Sequence, residues 1–181
     1  VSLAPEKNTN LEIGAKVDLR GGALSLTGAY FRTIKENARI SNTGPDAAIL
    51  PTILEGRQLV EGVEIGISGR LTEAWNVAAS YVYQHSEILS VGPFPSASDR
   101  FTLGKQLPNT PPHSFSLWST YDVNPKWTVG GGATYVSKDY ANASNLLYVP
   151  AYVFAIPLTR TLIWAASLVG ILMVMSAVWP G

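Results

Sequence analysis

The feature that most constrains this chain is the spacing of apolar residues in its first three quarters. Apolar side chains alternate one by one with polar or small ones, which is the period of a β-strand with one apolar face. The first such run places Leu11, Ile13, Ala15, Val17 and Leu19 on one side. Five more runs follow at residues 24–27, 63–68, 75–84, 115–123 and 127–135. The pattern predicts an all-β chain of antiparallel strands.

The connections between these runs alternate strictly between short and long. The short ones are tight turns such as Arg20-Gly21-Gly22 and Asn124-Pro125-Lys126. The long ones, residues 37–55 and 90–113, are rich in Asn, Gly, Pro and Ser. Outer-membrane barrels have short turns at one end and long loops at the other. The strands are also expected to run roughly 10 to 15 residues, against about five or six in soluble sheets.

Aromatic residues near the strand ends support a membrane barrel. Barrels of this kind carry an aromatic girdle at each membrane interface. The residues at the expected positions are Tyr30, Trp75, Tyr83, Tyr121, Trp127 and Tyr135. A soluble β-sandwich acting as a binding module also has alternating strands and stays open as an alternative. Six strands do not close a membrane barrel, which needs about eight or more, so the barrel hypothesis requires further strands.

Composition and motifs exclude several other functions. The chain has 13 basic and 13 acidic residues and a net charge of zero, without the basic excess of a nucleic-acid-binding protein. It has no cysteine, and its two histidines, His85 and His113, show no metal-binding spacing. No catalytic constellation is recognisable, so neither an enzyme nor a resident metal or cofactor is expected. The run Gly130-Gly131-Gly132 lies in a strand, where glycine more readily relieves crowding or permits bending than it binds phosphate.

The end of the chain differs in composition and divides it into residues 1–152 and residues 153–181. The segment Leu162–Trp179 carries no charge and has the length of a single transmembrane helix. It is interpreted either as such a helix or as an accidental apolar peptide from a shifted reading frame. The first interpretation allows another type of protein, a small β-domain anchored by one membrane span and without a transport role.

Several short motifs recur in a fixed order between about Pro5 and Tyr152. They are residues 12–16 (EIGAK), 60–66 (VEGVEIG), 107–122 (LPNTPPHSFSLWSTYD), 130–136 (GGGATYV) and 140–142 (YAN). In order and spacing this series resembles the C-terminal barrel of TonB-dependent siderophore receptors, and most closely the catecholate type.

That resemblance implies an outer-membrane receptor with a barrel of about 22 strands and an N-terminal plug. Such a receptor imports ferric siderophores and is energised by the TonB complex, which contacts the N-terminal part. The present chain is then a partial barrel of about six to seven strands, surrounded by outer-membrane lipid and transport-incompetent on its own. Its apolar tail is expected to stall the isolated chain at the inner membrane.

Ligand contacts are expected in the long loops. Four basic side chains there would attract an anionic ferric catecholate, and two aromatic rings would stack on it. These candidates are Arg39, Arg100, Lys105, His113, Phe94 and Phe101. Charged and aromatic residues are also ordinary in exposed loops, and the sequence alone favours that simpler interpretation.

Overall fold

The computed structural model describes residues 5–161 and 172–174. Eight strands form one sheet in which each strand is antiparallel to its neighbours. In order across the sheet they are β1 (Lys7–Leu19), β2 (Leu24–Ser41), β3 (Thr52–Arg70), β4 (Trp75–Val91), β5 (His113–Asn124), β6 (Trp127–Val136), β9 (Tyr152–Thr161) and β10 (Leu172–Val174). A separate pair, β7 (Asp139–Tyr140) and β8 (Tyr148–Val149), and a short helix, α1 (Ala97–Thr102), lie in the connections. The predicted all-β class and antiparallel order are confirmed.

The strand register separates an apolar face from a polar one. One row of directly paired residues runs across β1 to β5 through Ile13, Tyr30, Val63, Tyr83 and His113. Neighbouring residues in a strand point to opposite faces, so a second row lies on the other side. That row runs from β1 to β9 through Lys16, Thr27, Gly66, Ser80, Ser116, Thr134 and Phe154. The sheet is therefore mainly apolar on one face and mainly polar or small on the other.

The apolar face is exposed across the described strands. Ile13 is 68% exposed and Ile65 is 59% exposed, although both lie in the middle of long strands. The strands form a single layer in the described part of the chain, with one eight-stranded sheet and one small two-stranded sheet. A β-sandwich would instead pack its apolar faces against each other. An uncovered apolar face is the arrangement of a barrel wall in contact with lipid.

The alternation of short and long connections is confirmed, with different bounds. Residues 20–23, 71–74 and 125–126 make the short turns, and residues 42–51, 92–112 and 137–151 make the long connections. The first long connection is shorter than the predicted 37–55, because β2 and β3 stay paired as far as Ser41 and Thr52. They do so across a register shift next to Asn37, whose φ is 59°. Such a bulge keeps two strands paired through a polar stretch that otherwise resembles a loop.

The longest strands reach beyond the thickness of a bilayer core. The strands β2, β3 and β4 contain 18, 19 and 17 residues. At about 3.4 Å per residue, β3 is about 65 Å long. The hydrocarbon core of a bilayer is about 30 Å thick, so even strongly tilted strands of this length project from it. The loop end of the sheet thus carries a paired extension above the membrane-spanning part.

The sheet also continues past the boundary placed at Tyr152. Residues 152–161 form β9 and pair with β6 along its whole length. No alternation of polarity marks this strand, because Val153, Phe154, Ala155 and Ile156 are all apolar. Most of the predicted membrane helix at 162–179 lies outside the described residues, and the described residues 172–174 form β10 against β9. In the described part of the chain, no helix combines the length and the hydrophobicity of a membrane span.

Candidate functional site

Two long connections lie side by side at the loop end of the sheet. We call residues 92–112, which carry α1, the helical loop, and residues 137–151, which carry β7 and β8, the hairpin loop. One backbone hydrogen bond joins the two loops, and a second joins the hairpin loop to the start of β5. The Asn109 N–H donates to the carbonyl of Tyr140 (3.0 Å), and the Ser137 N–H donates to the carbonyl of His113 (2.9 Å). The two loops therefore pack as neighbours rather than extending separately into solvent.

The helical loop is also bonded to β4. The Gly104 N–H donates to the carbonyl of Ile88 (2.9 Å), and the Ile88 N–H donates to the carbonyl of Lys105 (3.0 Å). Beneath this contact the hydroxyl of Ser86, which is buried, lies 2.6 Å from the hydroxyl of Thr110. These bonds extend the pairing of β4 into the loop and hold its polar groups in defined positions.

A polar cavity of about 670 Å³ opens where β4 and the two loops meet. This volume falls within the range of about 300–1,000 Å³ that is usual for small-molecule sites. Its walls are formed by Tyr83, Gln84, His85, Ser86, Gly104, Lys105, Gln106, Pro112, His113, Tyr140 and Asn145. The cavity thus combines one lysine, two histidines and two tyrosines from four elements, namely β4, the start of β5 and the two loops.

Two lysines beside this cavity contact aromatic rings. The Lys105 ammonium lies 3.5 Å from the ring centre of Phe101. The Lys138 ammonium lies 4.9 Å from the ring of Tyr140 and 4.8 Å from the ring of Tyr148. Such cation–π contacts hold a charged group close to an aromatic surface. Positive charge and aromatic surface are therefore presented together on both loops.

The two histidines of the chain line the same cavity although they are far apart in sequence. The Tyr81 hydroxyl lies 2.8 Å from Nδ1 of His113, and this contact orients the imidazole ring. The ring of Tyr83 packs against the same imidazole with 5.2 Å between ring centres. Nε2 of His85 lies 3.5 Å from a carboxylate oxygen of Glu87. Among residues 5–161 and 172–174, no three His, Cys, Asp or Glu side chains are placed to hold a metal ion.

The structure brings together only some of the predicted ligand residues. Lys105 and His113 line the cavity, and Phe101 lies under the Lys105 ammonium. Arg100 lies beside Phe101 in α1 and is exposed. The predicted site is thus partly assembled around the helical loop.

Phe94 and Arg39 lie outside this group. Phe94 belongs with the connection at residues 42–51, because its carbonyl accepts hydrogen bonds from the N–H and the hydroxyl of Thr43 (3.2 and 2.9 Å). Arg39 lies in β2, near Glu6. A hydrogen bond from Lys35 lowers the pKa of the Glu6 carboxyl, and the charge of Arg39 has a smaller effect in the same direction. Arg39 therefore belongs to a separate charged group at this end of the sheet.

Sequence inspection did not single out the hairpin loop as a source of ligand contacts. Lys138, Tyr140, Tyr148 and Asn145 all lie in it, and Tyr140 and Asn145 line the cavity. The sequence pattern that could have predicted this loop is a third polar connection after the sixth run, in which Asn142, Ser144 and Asn145 follow one another closely.

Comparisons with known proteins identify relatives along most of the chain. The family described as "TonB dependent receptor-like, beta-barrel" matches residues 1–155. The probable TonB-dependent siderophore receptor PiuA of Acinetobacter baumannii is 38% identical over 155 residues, which cover 82% of this chain and 20% of PiuA. The chain therefore spans about a fifth of the length of this curated relative.

Solved structures show the same similarity in three dimensions. The crystal structure of PiuA matches with a TM-score of 0.79 and 35% identity, over 89% of this chain and 23% of that one. The closed form of the ferric-catecholate import receptor Fiu from Escherichia coli K12 matches with a TM-score of 0.70 and 30% identity, over 87% of this chain and 21% of that one.

Proposed function

The chain belongs to the TonB-dependent receptor-like β-barrel family, and on that premise we propose that it is part of an outer-membrane receptor that binds and imports ferric siderophores. The similarity to PiuA and to Fiu, two receptors named for siderophores or ferric catecholates, supports this ligand class. Because the chain spans about a fifth of PiuA, the transport function is assigned to the whole protein. The 181 residues alone are expected to transport nothing.

The two faces of the sheet support the proposed location. The face of the sheet that carries Ile13, Val63 and Ile65 is apolar and exposed, as a lipid-facing surface must be. A strand can cross a bilayer only where its backbone groups are paired, and β2 to β6 are each paired on both sides. We place these strands in the barrel wall, with the helical and hairpin loops at the outer surface.

The observation that carries the ligand assignment is the cavity between the two loops. Ferric catecholates are anionic and aromatic, and they are recognised by cationic and aromatic groups. Lys105, His113 and Tyr140 line the cavity together, and Lys138 adds a second positive charge from the neighbouring loop. We assign the first contact with the chelate to this region, with Arg100 and Phe101 at its margin.

The remaining functional assignments follow from membership of the family. Energy for import would come from the TonB complex, acting on parts of the protein beyond the matched strands. The ferric siderophore is cargo rather than a resident cofactor, and the role is transport rather than catalysis.

Complementation of a receptor-null strain tests the proposal. The full-length protein that contains this chain should restore growth with a ferric catecholate as the only iron source, and cells should accumulate radioactive iron from that chelate. The 181-residue chain expressed alone is the control and should not restore growth. Lack of binding and of uptake with every ferric siderophore tried, in cells that display the folded full-length protein, would refute the proposal.

A further inference from the structure

Asn145 has an unusual backbone conformation at the cavity wall. Its φ is 57°, in the left-handed region that side chains other than glycine rarely adopt. Asparagine tolerates this region because its short amide can bond to nearby backbone groups. The conformation turns the chain between β7 and β8.

The amide of Asn145 bonds to both backbone groups of one residue in the helical loop. The Gln106 N–H donates to Oδ1 of Asn145 (3.0 Å), and Nδ2 of Asn145 donates to the carbonyl of Gln106 (2.9 Å). The same Nδ2 also donates to the carbonyl of Asn142 (3.2 Å). Both polar atoms of the side chain are therefore used, and the amide reproduces the pairing that a neighbouring strand would provide.

This amide bridge lies next to the ligand-facing lysine. Lys105 precedes Gln106, and its ammonium donates to the carbonyl of Ser144, which precedes Asn145 (2.7 Å). Three hydrogen bonds thus join residues 105–106 to residues 144–145. The bridge fixes the position of the Lys105 ammonium relative to the hairpin loop, where Tyr140 also lines the cavity.

We propose that Asn145 is a positioning residue that holds Lys105 and Tyr140 at the separation that an anionic ferric chelate requires. It does not need to touch the chelate itself. The effect is preorganisation, because loops that are already joined lose less freedom when a ligand binds. The inference rests on the proposed function for its ligand, whereas the coupling of the two loops does not depend on the ligand.

Two glycine substitutions separate the amide bridge from the backbone conformation. Asn109 is also left-handed, with a φ of 56°, and it contacts the hairpin loop through its backbone N–H. Glycine tolerates this conformation at both positions. In the full-length protein, N145G should weaken binding of a ferric catecholate about tenfold, the equivalent of one to two net hydrogen bonds. N109G should bind within about twofold of the unmodified protein, since its substitution removes no side-chain bridge.

A measurement without ligand tests the coupling directly. Spin labels on L103C and L147C, two exposed positions on the two loops, report the distance between them. The distribution should broaden in N145G and stay narrow in N109G. Should N145G not fold, N145D replaces it, because aspartate keeps the acceptor for the Gln106 N–H and loses the donor.

The outcomes are distinct. An unchanged distance distribution in N145G, or equal affinities for N145G and N109G, overturns the positioning role. If the unmodified protein binds no ferric siderophore, the proposed function fails, and the distance distributions still decide whether Asn145 joins the loops.

Discussion

Trp118 of β5 stands directly opposite Gly132 of β6, and its indole ring occupies the space that a side chain at Gly132 would need. A Cβ atom placed on Gly132 would lie 2.5 Å from Cε3 of Trp118 and 2.7 Å from the carbonyl oxygen of Leu117. Both distances are well below van der Waals contact. The glycine therefore allows the large ring to lie flat on the polar face of the sheet.

Replacing Gly132 with alanine is expected to destabilise the barrel. The added methyl group must displace the indole and the backbone of β5, and overpacking of this kind costs about 1–3 kcal/mol. The full-length G132A protein should unfold at a lower urea concentration than the unmodified protein. Unfolding is measured as the change in electrophoretic mobility between the folded and the unfolded barrel.

Gly28 supplies the matched control for that prediction. It also lies within a strand, but a Cβ there would meet its nearest atoms at 3.9 Å, an ordinary contact. G28A should therefore be neutral or slightly stabilising, because alanine has less conformational freedom than glycine to lose on folding. Equal destabilisation by G28A and G132A would mean that the ring of Trp118 is not the cause.

These glycines show what the sequence could predict and what it could not. The run at residues 130–132 indicates either relief of crowding or a bend in the strand, and in the structure a Cβ on Gly130 or Gly132 would clash with Thr120 or Trp118. The partners of the glycines depend on strand register, which the composition of the segment does not encode. Fold class and turn spacing were predictable because polarity alternates along each strand. In β9 residues 153–156 are all apolar, so this stretch has no alternation to detect.

The candidate site was less predictable than the fold for a similar reason. The sequence predicts Lys105, His113 and Phe101 as basic or aromatic ligand residues, and in the structure they lie together. The sequence does not predict a role for Asn145, because its importance comes from a pair of hydrogen bonds with Gln106, 39 residues away. Pairing between two loops depends on where each leaves the sheet, and no local pattern reports that.

Ser86 provides a prediction about the base of the helical loop. Its buried hydroxyl lies 2.6 Å from that of Thr110 and accepts a hydrogen bond from the N–H of Leu107. S86A removes the buried hydroxyl on which these groups depend, which costs about 1–3 kcal/mol. Amide hydrogen exchange in residues 104–112 should accelerate markedly.

The control for this prediction is S80A. The hydroxyl of Ser80 also has a hydroxyl partner, Ser116 at 2.8 Å, but Ser80 is exposed, so water can replace the bond. Exchange in residues 104–112 should not change in S80A. The role assigned to Ser86 is wrong if its substitution leaves exchange in that segment as slow as before.

The Glu6 carboxyl offers a test that depends on pH. A hydrogen bond from Lys35 lowers the pKa of Glu6, and Arg39 adds a smaller effect in the same direction. The pKa of Glu6 in the folded state is below its ordinary value. The interaction therefore stabilises the fold at pH values above the ordinary pKa, and this stabilisation is lost as the pH falls through the lowered pKa. K35M should raise the pKa of Glu6 towards its ordinary value, as measured by carboxyl NMR titration. R39M should raise it less, and the reverse order would contradict the assignment to Lys35.

Lys138 gives the last prediction, which concerns the rate of ligand capture. Its ammonium lies between the rings of Tyr140 and Tyr148 on the exposed hairpin loop, at the end of the sheet where the chelate is proposed to arrive. An exposed charge chiefly affects the association rate, through attraction that salt screens over about 10 Å at 0.1 M. K138M should slow association of an anionic ferric catecholate about threefold at low salt, and the difference should disappear at high salt. K126M removes the same charge from the turn at the opposite end of the sheet and should leave the rate unchanged. Stopped-flow fluorescence on the full-length protein measures both rates, and equal slowing by the two variants would show that net charge, rather than a site at the hairpin loop, attracts the ligand.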